Sequence, residues 1–307
     1  MRILRVGLLA GAAAVAALPA WAPAKAQGAP PVAGPPLGVT GTIRFHGDFP
    51  SRYVASRNVE VWLPPGYARD TSARYPVLYV QDGQNVFDPA TSLWHVDWGV
   101  DETMTALIAA GTIRPAIVVG IWNTALRWRE YMPARALGKD STFDVHVPGV
   151  PPVPGPALSD AYLRFVVEEL KPFVDSTYRT LPGPANTFLM GSSMGGLVSA
   201  YAVMEYPNVF GGAACLSTHW PAAGGAFVEY LRHALPAPAT HRFYFDHGTA
   251  TLDSLYAPYQ RRVDDAMQAA GYALGRNWVT RVFPGADHSE RSWRARVDVP
   301  LVFLLGK

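Results

Sequence analysis

A six-residue segment, GSSMGG at 191–196, has the spacing of a sharp turn between a strand and a helix. It follows the apolar run 186–190 and precedes an apolar segment of helical composition. A sharp strand-to-helix turn can raise a serine above the carboxyl edge of a sheet only if the residues two positions to either side lack bulk. Gly191 and Gly195 meet that condition for Ser193, so the sequence predicts a serine nucleophile at this edge.

Short β-branched and aromatic runs alternate along the chain with longer segments of helical period. This alternation is typical of a sheet covered on both faces by helices. The runs 75–80 and 116–121 show no polar alternation, as expected of parallel strands buried on both faces. The sequence therefore predicts the α/β class with a mostly parallel sheet of about eight strands. These lie at about 42–46, 57–63, 76–81, 116–122, 186–190, 210–216, 241–247 and 278–283.

Two helices and one irregular stretch complete the predicted domain. Apolar residues at steps of three and four predict a helix over 160–177, and 293–305 is predicted to close the fold as a terminal helix. The stretch at about 134–157 is crowded with Pro and Gly and is too long for an ordinary connection. We interpret it as an insertion loop beside the mouth of the site, with a surface excursion as the alternative.

The first 26 residues have the pattern of a secretory signal, with an early positive charge, an apolar run and small residues before a cleavage site after Ala26. A membrane anchor is less favoured, because the apolar run falls short of the roughly 20 residues that span a bilayer and contains Pro19. Residues 27–39 are predicted to be a flexible linker rich in Pro, Gly and Ala, and 40–307 a single catalytic domain. These features predict a periplasmic or secreted protein with no stable membrane span after cleavage.

Composition limits the partners. Hydrophobic residues make up 49% of the chain, charged residues only 16%, and the net charge is +2. A charge this small does not suggest nucleic acid or an anionic membrane surface as partner, so the ligand is expected to be small or neutral. Cys215 is the only cysteine and lies in an apolar run, which predicts a structural role and leaves no intramolecular disulfide.

A serine hydroxyl needs a base that takes its proton, and the order of these residues in the predicted fold is serine, acid, histidine. His288 follows the last predicted strand in an exposed loop and is the predicted base. The earlier candidates are less favoured because they leave too little room for the acid or precede it; they are His219, His241 and His247. Asp246 and Asp253 both qualify as the acid after the strand at 241–247, with Asp287 a weaker alternative.

Two backbone N–H groups are predicted to bind the oxyanion that would form on the substrate carbonyl. One belongs to Met194, at the start of the helix after the serine, where the helix dipole also favours negative charge. The other belongs to Gln84, in the loop after the third strand, where Gly83 permits the turn. The alternative is that this stretch is an ordinary loop and that Gln84 binds no oxyanion.

Aromatic residues fall near the predicted mouth and are candidates for stacking on a sugar or aryl group, with ordinary packing as the alternative. They are Trp94, Trp98, Trp122 and Trp220. Asp97 and Asp101, with His95 nearby, could be taken for a metal site. Their spacing suits no standard site and the chemistry already has its electrophile, so neither metal nor cofactor is predicted.

Several of these motifs together resemble the esterase D-like family of α/β-hydrolases, over about residues 59–305. This family includes feruloyl and acetylxylan esterases, S-formylglutathione hydrolases, siderophore esterases and mycolyltransferases. The motifs are LPPGY at 63–67, YVQDGQN at 79–85, GSSMGG at 191–196 and GADH at 285–288. The resemblance implies the α/β-hydrolase fold, with helices on both faces of the sheet. In the feruloyl esterases the acid follows Gly-Thr and precedes Ser-Leu, a pattern that favours Asp253 over Asp246.

The resemblance and the motifs together predict a secreted or periplasmic serine esterase acting through Ser193, His288 and Asp253 and an acyl-enzyme. Export favours acetyl or feruloyl esters of polysaccharide as substrates, because the S-formylglutathione hydrolases of the family act in the cytosol. The siderophore esterases of the family imply that removing the acid Asp253 reduces activity less than removing Ser193. Two alternatives remain: an acyltransferase of the mycolyltransferase type, and a catalytically silent ligand-binding protein.

Overall fold

The computed structural model describes residues 39–138 and 142–307. The predicted signal peptide, and the linker except for Val39, lie outside the described residues. Within the described part of the chain, no helix has the length and apolar character that a bilayer span requires.

A sheet of eight strands forms the centre of the fold, in the order β1-β2-β4-β3-β7-β8-β9-β10. Its first pairings, β1 with β2 and β2 with β4, are antiparallel, and every other pairing is parallel. The strands are β1 Thr42–Phe49, β2 Arg57–Leu63, β3 Val77–Gln81, β4 Ile117–Ile121, β7 Thr187–Ser192, β8 Gly212–Leu216, β9 Arg242–Gly248 and β10 Trp278–Phe283. The α/β-hydrolase prediction of a mostly parallel eight-stranded sheet is therefore confirmed.

The central strands are buried because helices cover both faces of the sheet. Every residue of β3, β4, β7 and β8 is buried, and apolar clusters lie on both sides. The helices are α1 Val100–Ala109, α2 Arg127–Tyr131, α3 Ala134–Leu137, α4 Ser159–Arg164, α5 Lys171–Thr177, α6 Met194–Glu205, α7 Ala226–Ala234, α8 Ala257–Ala269, α9 Glu290–Arg294 and α10 Asp298–Leu305. Because β4, β3, β7, β8, β9 and β10 are parallel, their carboxyl ends meet at one edge, which is where ligands bind in such sheets.

Proline residues explain two departures from the predicted helices. The helix predicted over 160–177 is present, but Phe165–Leu170 is a π-helical segment between α4 and α5. Pro172 follows it, and the ring of a proline crowds the carbonyl four residues earlier. The terminal helix predicted over 293–305 is split into α9 and α10, since Pro300 cannot continue a helix through the preceding turn.

The predicted insertion carries secondary structure of its own. It contains α3 and a short antiparallel pair, β5 Thr142–Phe143 with β6 Val153–Pro154. Phe143 and Val145 are buried against the main core. The carbonyl oxygen of Asp144 accepts a hydrogen bond from Ala223 N–H, so the insertion is attached to the segment that follows β8.

Candidate active site

Ser193 occupies the bend between β7 and α6 in a strained backbone conformation, with φ 57° and ψ −125°. This region is essentially closed to residues with side chains, so the surrounding structure must enforce it. A Cβ on Gly191 would lie 2.5 Å from the carbonyl carbon of Gly195, and a Cβ on Gly196 would lie 2.8 Å from Thr218 Oγ1. The glycines of the turn are therefore required by close packing.

His288 lies in the loop after β10, and its side chain is 14% exposed. Its Nδ1 atom lies 2.6 Å from Asp253 Oδ1, and its backbone N–H donates to Thr251 Oγ1 at 2.9 Å. The imidazole packs edge-on against Trp293, with ring centroids 5.0 Å apart. The ring is thus held by a carboxylate at Nδ1 and by a perpendicular contact with an indole.

Asp253 is completely buried, in a 3-10 turn over Thr251–Leu255. Its second oxygen, Oδ2, accepts hydrogen bonds from Ser217 Oγ at 2.5 Å and from Gly248 N–H at 2.6 Å. Burial by itself would raise the pKa of Asp253, but the hydrogen bonds from His288, Ser217 and Gly248 outweigh it and lower the pKa below its ordinary value. The carboxylate is therefore held ionised beside the imidazole.

Gly248 allows the loop that carries His288 to cross the end of β9. A Cβ at this position would lie 2.1 Å from Ala286 O. The same carbonyl oxygen accepts hydrogen bonds from the N–H groups of Thr249 and Ala250, both at 3.0 Å. This close crossing brings the residues after β9 and β10 together.

Asp246, the alternative acid, has different partners. Its carboxylate binds the guanidinium of Arg296, at 3.0 Å from Nη2 and 3.2 Å from Nε, and both side chains are buried. It also accepts from Tyr244 Oη at 2.9 Å and Ser217 N–H at 3.1 Å. Asp246 therefore forms a structural ion pair with Arg296, whereas Asp253 faces His288. The weaker alternative, Asp287, accepts hydrogen bonds from the hydroxyl groups of Ser289 and Ser292.

The other histidines considered are engaged elsewhere. His219 is buried, contacts Val145 O through Nε2, and lies 2.7 Å from Tyr256 Oη through Nδ1. Burial lowers its pKa to about 4, so it is neutral near pH 7. His241 lies at hydrogen-bond distance from two backbone carbonyl groups, and His247 from that of the next residue.

The loop after β3 lies beside the serine bend. Its first residue, Asp82, adopts a left-handed conformation with φ 57°, and a Cβ on Gly83 would lie 2.5 Å from the backbone of Gly120. Among the described residues, no hydrogen-bond acceptor contacts the amide N–H of Gln84 or that of Met194. Two free N–H donors at the carboxyl edge of a sheet, one at a helix start, are suited to bind an anionic oxygen.

Arg127 fixes this loop from behind. Its guanidinium forms a fork on Asp82, with Nε to Oδ1 and Nη2 to Oδ2 both at 2.7 Å. Asn123 adds a bond to Asp82 Oδ1 at 2.6 Å and donates its N–H to Gln84 Oε1 at 3.2 Å. The sequence did not single out Arg127 or Asn123, because both lie about 40 residues from the loop that they hold.

Two of the four predicted aromatic contacts are corrected by the structure. Trp98 and Trp220 are each only 1% exposed and so offer no face to a substrate. Trp98 packs on Trp293, and Trp220 packs between Phe227 and Phe245. Their apolar rings contribute more by filling the core behind the strand ends than by lying at the surface.

The other two tryptophans stay candidates. Trp94 is 60% exposed in the segment after the Gln84 loop. Trp122 is half-buried at the end of β4, where its Nε1 donates to Glu60 at 3.1 Å and its ring meets Phe45 edge-on.

Three carboxylates converge near α1, with oxygen atoms within 4.8 Å of one another; they are those of Asp97, Asp101 and Glu102. We call them the acidic cluster. Arg294 bridges two of these carboxylates, with Nη1 2.6 Å from Asp97 Oδ1 and Nη2 3.0 Å from Glu102 Oε1. Thr40 N–H donates to Asp101 at 2.6 Å, and burial raises the pKa of Asp101 to about 7. A cation already occupies this position, which fits an ion-pair network and not a metal centre.

Fold and site together define an α/β-hydrolase with a serine raised on a glycine-flanked bend at the carboxyl edge of its sheet. Residues 52–302 match the family described as "Putative esterase", and the chain belongs to that family. By this membership it is a carboxylic ester hydrolase.

The chain is also similar to individual proteins and to solved structures. The chain is 23% identical over 206 residues to the uncharacterized protein YbbA of Bacillus subtilis, covering 66% of this chain and 72% of YbbA. It is 29% identical over 241 residues to an endo-1,4-beta-xylanase/feruloyl esterase of Xylanibacter ruminicola, covering 78% of this chain but only 28% of that larger protein. The structure of a ferulic acid esterase superposes with a TM-score of 0.64 at 19% identity, covering 86% of this chain and 98% of that one.

Proposed function

We propose that the chain is an exported serine esterase in which Ser193, His288 and Asp253 form the catalytic triad. The observation that carries the proposal is the 2.6 Å contact between His288 Nδ1 and Asp253 Oδ1 at the sheet edge that holds the strained Ser193. Because the carboxylate accepts the Nδ1 hydrogen, the lone pair of the neutral imidazole is on Nε2, where a general base needs it.

In this mechanism Ser193 Oγ attacks the ester carbonyl while His288 Nε2 takes its proton. The carbonyl oxygen becomes an oxyanion and binds the N–H groups of Met194 and Gln84. The tetrahedral intermediate collapses as His288 protonates the departing alcohol, which leaves an acyl group on Ser193. Water, activated by the same histidine, then releases the acid and restores the serine.

Acetyl or feruloyl esters of polysaccharide are the proposed substrates. The similarity to the xylanase/feruloyl esterase of Xylanibacter ruminicola supports this class, as does the exposed indole of Trp94. Cleavage of a signal peptide after Ala26 would deliver residues 40–307 as a catalytic domain to the periplasm or the medium. A hydrolysis panel of acetyl, longer aliphatic and feruloyl esters, measured with the mature chain, would rank these substrates.

Ser193→Ala tests the nucleophile, with Ser192→Ala as the matched control because it removes the neighbouring buried hydroxyl. We expect Ser193→Ala to lower hydrolysis of p-nitrophenyl acetate at least about 10³-fold, since the oxyanion site alone retains only residual catalysis. A fluorophosphonate should label the wild type and Ser192→Ala but not Ser193→Ala. Labelling that survives in Ser193→Ala would contradict the mechanism.

A further inference from the structure

Ser217 directly follows β8, at the edge of the sheet where Ser193 lies, and it is completely buried. Its backbone has a positive φ of 42°. Its hydroxyl oxygen lies 2.5 Å from Asp253 Oδ2, 3.0 Å from Trp293 Nε1 and 2.8 Å from Arg296 Nη2. One buried hydroxyl therefore contacts three side chains, one from the loop after β9 and two from the C-terminal segment 293–296.

The chemistry of these partners fixes the direction of each hydrogen bond. A hydroxyl has one hydrogen and two lone pairs, whereas indole and guanidinium nitrogens can only donate. Trp293 and Arg296 therefore occupy both lone pairs of Ser217 Oγ, and its single hydrogen must point to Asp253 Oδ2. Gly248 N–H donates to the same oxygen at 2.6 Å. With two donors on Oδ2, only Oδ1 is left to face the histidine.

Arg296 is itself held rigidly. It is 3% exposed, and its guanidinium binds both oxygens of Asp246 and donates from Nη1 to Ser292 O at 3.1 Å. Asp246 also accepts the N–H of Ser217, so it touches the serine from the other side. The result is a continuous buried chain from Asp246 through Arg296 and Ser217 to Asp253.

We propose that Ser217, oriented by Arg296 and Trp293, is a positioning residue that fixes the Asp253 carboxylate in the rotamer whose Oδ1 faces His288. The inference rests on the proposed triad and deepens it. Trp293 takes part twice, because its ring also packs on the imidazole of His288 at 5.0 Å. Without the Ser217 hydroxyl, the carboxylate keeps only Gly248 N–H on Oδ2 and can turn away from the imidazole.

A double-mutant cycle between Ser217→Ala and Asp253→Asn tests this role, with kcat and KM for p-nitrophenyl acetate as readouts. In the wild-type background we expect Ser217→Ala to lower kcat about 10- to 30-fold, the effect of one hydrogen bond to a charged group, with KM changed by less than about twofold. In the Asp253→Asn background it should cost less than about twofold more, because residues that act as a unit are not additive.

Ser199→Ala is the matched control, since Ser199 is also completely buried and its hydroxyl has no hydrogen-bond partner among the residues that the structure describes. It should leave kcat unchanged in both backgrounds. If Ser217→Ala does not fold, Ser217→Cys keeps the shape and supplies only a weak donor. It should lower kcat at least about fivefold, again with no further loss beside Asp253→Asn.

The two proposals fail in distinguishable ways. An equal loss from Ser217→Ala in both backgrounds, or no loss in the wild type while Asp253→Asn is crippled, overturns the positioning role and leaves the triad intact. An Asp253→Asn variant that keeps kcat within about tenfold of the wild type overturns the proposed acid, and the positioning role with it.

Discussion

Replacing Asp253 by asparagine provides the sharpest test of the proposed mechanism. An amide carries both of its hydrogens on one atom, and either orientation places that NH₂ group against a donor. On the Oδ2 side it would face Ser217 and Gly248, and on the Oδ1 side only His288. The second orientation costs less, because an imidazole can change its tautomer. Nδ1 then accepts, and the proton moves to Nε2.

The expected loss follows from that tautomer. With hydrogen on Nε2, His288 cannot accept the proton of Ser193, and the corresponding change in a serine protease triad lowers kcat about 10⁴-fold. We expect a loss of about 10³- to 10⁴-fold here, which corresponds to about 4 to 5.5 kcal/mol of transition-state stabilisation.

Asp246→Asn is the matched control, because both aspartates are completely buried. It breaks the buried pair with Arg296, so we expect a loss of about 3–5 kcal/mol in the free energy of unfolding. Its kcat should fall by no more than about tenfold, because Asp246 and Arg296 no longer hold Ser217 as firmly. Steady-state hydrolysis of p-nitrophenyl acetate at pH 8, with urea unfolding of each variant, separates the two effects. Asp246→Asn losing more kcat than Asp253→Asn would refute the assignment of the acid.

Three further predictions concern other buried groups. Burial raises the pKa of Glu60 from 4.5 to about 7, so the folded state binds the proton more tightly than the unfolded state does. The free energy of unfolding should therefore fall by about 3 kcal/mol as the pH rises from 4.5 through 7. Glu60→Gln should reduce the difference between the free energies of unfolding that urea titrations give at pH 5 and at pH 8. A difference as large as that of the wild type would contradict this prediction. Tyr256→Phe removes the hydroxyl that lies 2.7 Å from His219 and 3.4 Å from His288 Nδ1, and should lower kcat about 3- to 10-fold with little change in KM. EDTA should leave kcat/KM unchanged, since the Arg294 guanidinium already bridges two carboxylates of the acidic cluster; restoration of a lost rate by added metal would contradict this prediction.

Local pattern was sufficient to predict the framework of the fold. Short β-branched, aromatic and apolar runs predicted all eight strands of the sheet to within three residues at each end. The signal was clearest for the central strands, because a strand buried on both faces must be apolar throughout. The glycine spacing around Ser193 predicted the bend, since only residues without a side chain fit there. Helix ends were predicted less well where a proline intervened, as at Pro172 and Pro300.

The acid could not be chosen from local pattern. Asp246 and Asp253 both follow the same strand, and the sequence alone left them as alternatives until the family pattern favoured one. What separates them in the structure is partner geometry: Asp246 meets Arg296, 50 residues later, and Asp253 meets His288, 35 residues later. For the same reason the sequence wrongly placed Trp98 and Trp220 at the mouth of the site, because burial of an aromatic residue depends on what packs over it.

Local sequence patterns specify the strands of the sheet, the serine bend and the histidine loop, because each of these depends on residues that are neighbours along the chain. Packing between distant segments selects the carboxylate that faces His288 and the side chains that hold this carboxylate. Ser217, Trp293 and Arg296 have no motif in common and come together only when the end of β8 packs against the C-terminal helices. Hydrogen-bond geometry of this kind depends on distances between remote segments, which no local pattern encodes.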